Sequence, residues 1–256
     1  RRYGDAIMIV LPSDHLIKYT SMFVSTLKEA CTVAEKDDNM VTLGITPDYP
    51  ETGYGYIKFN PEVSDGRAFG VECFVEKPDR EKAQEYLATE QYLWNSGMFV
   101  WKASTILGNI KKYMPEMEAG LQRIGDAIGT PSADEVLEHE FAAFPSVSID
   151  YGIMEKADHI YIIPGTFGWD DVGSWLAVER INRTNEMGNV VAGNIITVNT
   201  KNSIIQGADK LIAAVGVRDL IIVDTPDATL ICNKDNAGEI KKVLENLRIC
   251  NREEYI

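Results

Sequence analysis

A chain of 256 residues with 39 Asp and Glu against 25 Lys and Arg carries a net charge of −14, which repels nucleic-acid phosphates and anionic lipid alike. Duplex nucleic acid and membrane surfaces are therefore not expected partners, whereas an anionic small molecule stays admissible if a few cations converge or a divalent metal mediates. Hydrophobic residues at 45% and charged residues at 25% describe an ordinary globular chain, and at this length folding buries roughly 70–75% of the unfolded surface.

After a short polar lead, DAIMIVLP (5–12) predicts a strand buried on both faces, as in the interior of a parallel sheet. YTSMFVSTLKEACTVAEK (19–36) has helical spacing, with Phe23, Leu27, Ala30, Val33 and Ala34 on one face. NMVTLGIT (39–46) predicts a second buried strand, which makes the first 46 residues a βαβ unit with a right-handed crossover. A Gly/Tyr-rich loop (ETGYGYIKFN, 51–60), a strand (AFGVECFVEKP, 68–78) and a charged helix (DREKAQEYLA, 79–88) follow. Then come WNSGMFVW (94–101), further helices to residue 143, SIDYGIMEKAD (148–158), a strand (HIYIIPG, 159–165) and GWDDVGSW (168–175), which opens the helix SWLAVERI. Strands alternating with helices predict an α/β domain over residues 1–183.

From residue 187 the texture changes to six or so short β-rich runs punctuated by Gly, Asn or Asp, closed by the helical DNAGEIKKVLENL. Residues 187–256 are thus expected to form a small β appendage, with a loose recurrence that hints at a short β-solenoid. Cys31, Cys73, Cys232 and Cys250 lie far apart in no zinc-like spacing, so reduced, mostly buried thiols are expected. No leader pattern occurs, and no apolar run approaches the roughly 20 residues that span a bilayer, which makes the cytoplasm the expected compartment.

Several motifs place chemistry at strand ends. In LPSDH, Asp14 follows directly on the first apolar run, where ligands of open α/β sheets sit, although capping of the next helix explains it equally well. ETGYGYIKF offers glycines that admit a ligand to the backbone, or simply a turn into a strand. VEKPD puts Glu76 and Lys77 at a strand end, a carboxylate for sugar hydroxyls and an ammonium for a phosphate, or solvated charges. Asn95 in WNSGMFVW is an amide in apolar surroundings that needs a partner, since an unpaired one is costly there. DYGIMEK adds Asp150, Glu155 and Lys156, and GWDDVGSW adds Asp170 and Asp171, each open to a helix-capping reading. Together these groups suit a metal and a phosphorylated polyol.

LPSDH, TGYGYI, FVEKP, WNSGMFVW, SIDYGIMEK and GWDDVGSW, in this order, resemble the sugar-nucleotide pyrophosphorylases, and most of all the bacterial mannose-1-phosphate guanylyltransferases. The resemblance covers nearly the whole chain. It implies a GT-A-like, Rossmann-like nucleotidyltransferase domain followed by a β appendage, with GTP and mannose 1-phosphate giving GDP-mannose and pyrophosphate. It also implies Asp14 and Asp171 as ligands of Mg2+ or another divalent cation, Asp171 being the third residue of W-x-D-x-G, while Asp170 fills the variable position. Gly53, Tyr54, Glu76 and Asn95 match sugar-binding positions. Lys77, counted with Asp14 and Asp171 among the catalytic groups, and Lys156 match positions that meet the sugar phosphate.

The family pattern further includes a G-x-G-x-R loop and a K-P-K-Q segment that hold the triphosphate, and these 256 residues contain neither. The nucleotidyltransferase domain is accordingly expected to be N-terminally incomplete, to self-associate or pair as a homodimer through an open sheet edge, and not to turn over GTP alone. A pyrophosphorylase for another sugar or base, or an inactive regulatory or split-enzyme subunit, are the alternative readings.

Overall fold

The computed structural model describes residues 4–255. Along the chain run β1 (Ile7–Val10), β2 (Leu16–Ile17), α1 (Thr20–Ala34), β3 (Met40–Ile45), β4 (Tyr56–Asp65), β5 (Ala68–Val75), α2 (Arg80–Thr89) and β6 (Tyr92–Lys102). They are followed by α3 (Ala103–Tyr113), α4 (Pro115–Ala127), α5 (Ala133–Ala143), a π-helical turn (Asp150–Met154), β7 (Ile160–Gly165), β8 (Trp169–Asp170) and α6 (Trp175–Ile181). The remainder comprises β9 (Val190–Ala192), β10 (Ile195–Val198), β11 (Ile204–Gln206), β12 (Ile212–Val215), β13 (Leu220–Asp224), β14 (Thr229–Asn233), a 3-10 turn (Lys234–Glu239) and α7 (Ile240–Ile249). Contacts divide the chain into two compact units, one taking the residues up to Ser13 and Ile17–Trp169, the other Asp14–Leu16 and the residues from Asp170 onward.

The first unit is built on a six-stranded sheet of order β1-β6-β3-β7-β5-β4, in which β4 also pairs with β6 so that the sheet curls back on itself. Every residue of β3 is buried, because β6 and β7 flank it and side chains cover both faces, which is what its unbroken Met-Val-Thr-Leu-Gly-Ile run requires. On one face α1 lays Ala30, Val33 and Ala34 into the core, with Phe23 and Leu27 packed beside them, as the helical spacing predicts. The Asp79 side chain accepts a hydrogen bond from the Lys82 amide at 2.9 Å and starts α2, and Pro115 at the first position of α4 sets its bend from α3.

Three expectations are corrected. β1 is neither interior nor in a parallel pairing: it lies at the sheet edge, antiparallel to β6, with Met8, Ile9 and Val10 exposed at 43%, 44% and 39%. The sheet is mixed, with β3–β7 its parallel pair among the described strands, and β6 is inserted between β1 and β3 of the supposed βαβ unit. The Gly/Tyr-rich loop ends at Gly55, and the residues after it already belong to β4.

In the second unit β9, β11 and β13 stack in parallel, with Ile204 over Val190 and Ile221 over Ile204 in steps of 14 and 17 residues, and β10 pairs parallel with β12. This is a short β-solenoid. Val190, Ile204, Ile221 and Val223 fill its interior, closed on one side by Trp175 and Val178 of α6. Asn189 is buried at a corner, donating to the Thr200 carbonyl at 2.8 Å and accepting from the Ser203 amide at 3.0 Å, which satisfies backbone groups that the turn frees. β14 turns back antiparallel to β13 and ends the parallel stack.

The four cysteines are free, but none is fully buried: Cys31 and Cys232 are half-buried and Cys73 and Cys250 exposed, contrary to expectation. Among the described residues no helix is long and apolar enough to cross a membrane.

Candidate functional site

In the first unit the polar groups singled out in the sequence converge at one place, where β4 begins, β5 ends and β6 passes the π-helical turn. Gly55 is the floor: a Cβ there would lie 2.8 Å from Glu76 Oε2 and 3.5 Å from the Asn95 Cβ, so a side chain would push the Glu76 carboxylate aside. Backbone pairing fixes Asn95, whose amide donates to the Gly55 carbonyl at 2.8 Å. Its side chain finds the partner it needs in Asp150, with Nδ2 donating to Oδ1 at 2.8 Å, while Asn95 Oδ1 accepts from the Gly97 amide at 3.0 Å. That bonding pattern orients the amide and leaves it further hydrogen-bonding capacity for a ligand.

Lys77 lies 2.8 Å from Glu76 Oε1, and the hydrogen bond with that carboxylate, with its charge, raises the Lys77 pKa. Lys77 also takes φ 42, an uncommon left-handed conformation for a residue with a side chain, directly after the strand. Glu155 is pushed up by burial first and then by the charges of Asp150 and Glu76, so three carboxylates share this end of the sheet. Tyr54 stands edge-on to both Trp94 and Trp169, with ring centroids 5.3 and 5.4 Å away, and forms an aromatic wall.

Two expected members sit differently. The Gly53 amide is taken by Glu51 Oε1 at 2.7 Å, and Gly55 rather than Gly53 abuts Glu76 and Asn95. Exposed Lys156 lines a cavity of about 320 Å3 with Tyr113, Met114, Met117, Pro145 and Val147. Gly55 and Asp150, named among the sequence motifs but given no site role by the family resemblance, are brought into the site by the fold. Asp150 had looked like a helix-start acid, and its pairing with an amide 55 residues away is visible only in the fold.

The second unit holds the aspartates. Asp14 is exposed and stands beyond the end of β1, not directly on a buried strand as expected. Lys18 donates to the Gly168 carbonyl at 3.1 Å and Tyr19 to the Phe167 carbonyl at 3.0 Å, so the β2 and β8 segments run in opposite directions. Asp14, two residues before β2, and Asp171, one after β8, therefore lie past the same end of that ladder.

The neighbouring acids differ. Both Asp170 oxygens are committed, Oδ2 to Arg180 Nε at 2.8 Å and Oδ1 to Arg180 Nη2 at 3.0 Å and to the Val172 amide at 2.8 Å. Asp171 Oδ1 lies 3.9 Å from Arg180 Nη2. Asp170 does not cap α6, whose N-cap is Ser174. As a donor set, Asp14 and Asp171 offer hard carboxylate oxygens, and Mg2+ takes one or two carboxylates while keeping several waters, so the residues present fit such an ion. Among the described residues no group of three or more His, Cys, Asp or Glu is placed to hold a metal ion by itself.

Fold and motif order define a nucleotidyl transferase: the model of that family matches residues 1–188, and the chain belongs to it. A second model, the MannoseP isomerase/GMP-like beta-helix domain, matches residues 193–247. The chain is 40% identical to mannose-1-phosphate guanylyltransferase of Escherichia coli K12, over 98% of its own length and 53% of the relative's. It is likewise 40% identical to xanthan biosynthesis protein XanB of Xanthomonas campestris pv. campestris, over 99% of its length and 54% of the relative's. It thus spans about half the length of the curated relatives it matches. A solved structure described as mannose-1-phosphate geranyltransferase from Thermus thermophilus superimposes with a TM-score of 0.85 at 33% identity, covering 96% of this chain and 71% of that one.

Proposed function

We propose that the chain serves a cytoplasmic nucleotidyltransferase that forms GDP-mannose and pyrophosphate from GTP and mannose 1-phosphate, the activity carried by the name of its Escherichia coli relative. The observation that carries this reading is the convergence of Glu76, Asn95 and Asp150 about Gly55, a set of fixed acceptors and one amide donor suited to the hydroxyls of a sugar ring. Tyr54 supplies the wall against which the apolar face of the ring packs.

Lys77, kept protonated by its contact with Glu76, meets the sugar phosphate, whereas Lys156, which lines a different cavity, is not needed for that contact. An oxygen of that phosphate attacks the α-phosphorus of GTP in line, the bond to the β-phosphate oxygen breaks, and pyrophosphate leaves with the electron pair. Catalysis then consists of positioning and charge neutralisation, and no covalent nucleophile is required. Asp14 and Asp171 would hold a divalent cation, Mg2+, which supplies charge neutralisation when bound.

Calorimetric titration of the full chain with mannose 1-phosphate tests the reading. Saturable binding is expected, weakened roughly tenfold or more in Glu76→Gln and in Asn95→Ala, since each removes a hydrogen bond to a fixed group. Glucose 1-phosphate binding as tightly as mannose 1-phosphate would defeat the sugar assignment.

A further inference from the structure

The turn that carries Asp171 is held in a conformation its sequence disfavours. Val172 takes φ 51, a left-handed value that is an outlier for a β-branched residue and persists only where the surroundings impose it. A Cβ at Gly173 would lie 2.5 Å from Asp171 Oδ2, so the Asp171 carboxylate folds back over the chain that follows it. What spans this turn is the Asp170 carboxylate: one oxygen accepts from the Val172 amide, and both are gripped by the guanidinium fork of Arg180, ten residues further along on α6. The pair is largely shielded, at 12% side-chain exposure for Asp170 and 31% for Arg180, where a bidentate ion pair is at its most specific.

We propose that Arg180 is a positioning residue for Asp171: its two-pronged grip on Asp170 holds Val172 in the left-handed turn, and so fixes the direction in which Asp171 presents its carboxylate to a divalent cation. The proposal rests on the reading of Asp171 as a cation ligand. Asp170 is then the strut of the turn, which explains why two adjacent aspartates serve different ends. Lysine in place of Arg180 keeps the charge but cannot make two parallel contacts.

Two measurements on the full chain decide it. One is hydrogen exchange of the Val172 amide, read without metal. The other is affinity for Mn2+ alone, read by electron paramagnetic resonance. Arg180→Ala and Arg180→Lys are expected to speed Val172 exchange roughly tenfold or more by opening the turn, and to weaken Mn2+ binding by a similar factor. Asp171→Asn is expected to abolish Mn2+ binding and leave Val172 exchange unchanged. Glycine adopts φ 51 without strain, so Arg180→Ala is expected to cost less Mn2+ affinity in a Val172→Gly background than alone.

A merely structural Arg180 gives a different pattern, a lower thermal midpoint with Val172 exchange and Mn2+ affinity as in the unaltered chain, and that result overturns the proposal. Mn2+ binding lost in Asp171→Asn but retained in Arg180→Ala overturns the positioning role alone. Mn2+ affinity untouched by Asp171→Asn defeats the cation reading and, with it, the aiming of Asp171.

Discussion

Glu140 shows how a single residue ties chemistry to stability in the first unit. It is buried among α4 and α5, where Arg123 Nε and Nη2 donate to its two oxygens at 2.7 and 2.6 Å. Those hydrogen bonds, ahead of the opposing effect of burial, hold its carboxyl below the usual glutamate range. A lowered folded pKa means that the ionised form is favoured by folding. The resulting stability is present above the unfolded glutamate value of roughly 4.3 and is lost as pH falls through the lower folded value. Urea denaturation at neutral pH and at pH 3 is expected to show a smaller difference for Glu140→Gln than for the unaltered chain. An undiminished difference would mean that other carboxylates carry the acid sensitivity.

At the same scale, the candidate site was partly legible. Glu76 and Asn95 stood out because a charge at a strand end and an amide in an apolar run each demand a partner. Asp150 was named too, but its partner was not legible, because an acid before a helical turn has a local use that hides a tertiary one. Asp170 and Asp171 are told apart in the sequence by the W-x-D-x-G pattern alone, since as adjacent acids they are chemically alike. Only the Arg180 fork, which arrives on the next helix, assigns them different contacts.

Among the elements, β1 repeats the problem. Its apolar texture matches that of β3, yet β3 lies between two strands while β1 has β6 alone beside it among the described strands. The backbone groups on its open side and the exposed Met8, Ile9, Val10 and Leu11 form an edge of the kind that pairs with another chain. Light scattering over a dilution series is expected to show concentration-dependent self-association of the chain, reduced by Ile9→Lys, which places a charge on the edge. A monomer at high concentration in both would remove β1 from the account of association. The solenoid was easier to anticipate, because its runs recur, but steps of 14 and 17 residues blur the period that a sequence scan relies on. What fixes those turns is tertiary: buried Asn189 bonds Thr200 and Ser203 across more than ten residues.

For the whole molecule, hydrophobic patterning placed the strands and helices, while the order of strands in the sheet came from pairings between distant segments. The family match ends at residue 188, whereas contacts divide the chain between Trp169 and Asp170, because α6 packs Trp175 and Val178 onto the solenoid core. The central claim is that the end of the first unit's sheet, around Gly55, is a sugar-phosphate site. Titrating isotope-labelled chain with mannose 1-phosphate, and following the Gly55 and Asn95 backbone amides and the Asn95 side-chain amide by NMR, tests it most directly. The account predicts saturable shifts at these signals with one common affinity, lost in Glu76→Gln. Unmoved signals at Gly55 and Asn95 while mannose 1-phosphate binds elsewhere on the chain would contradict it.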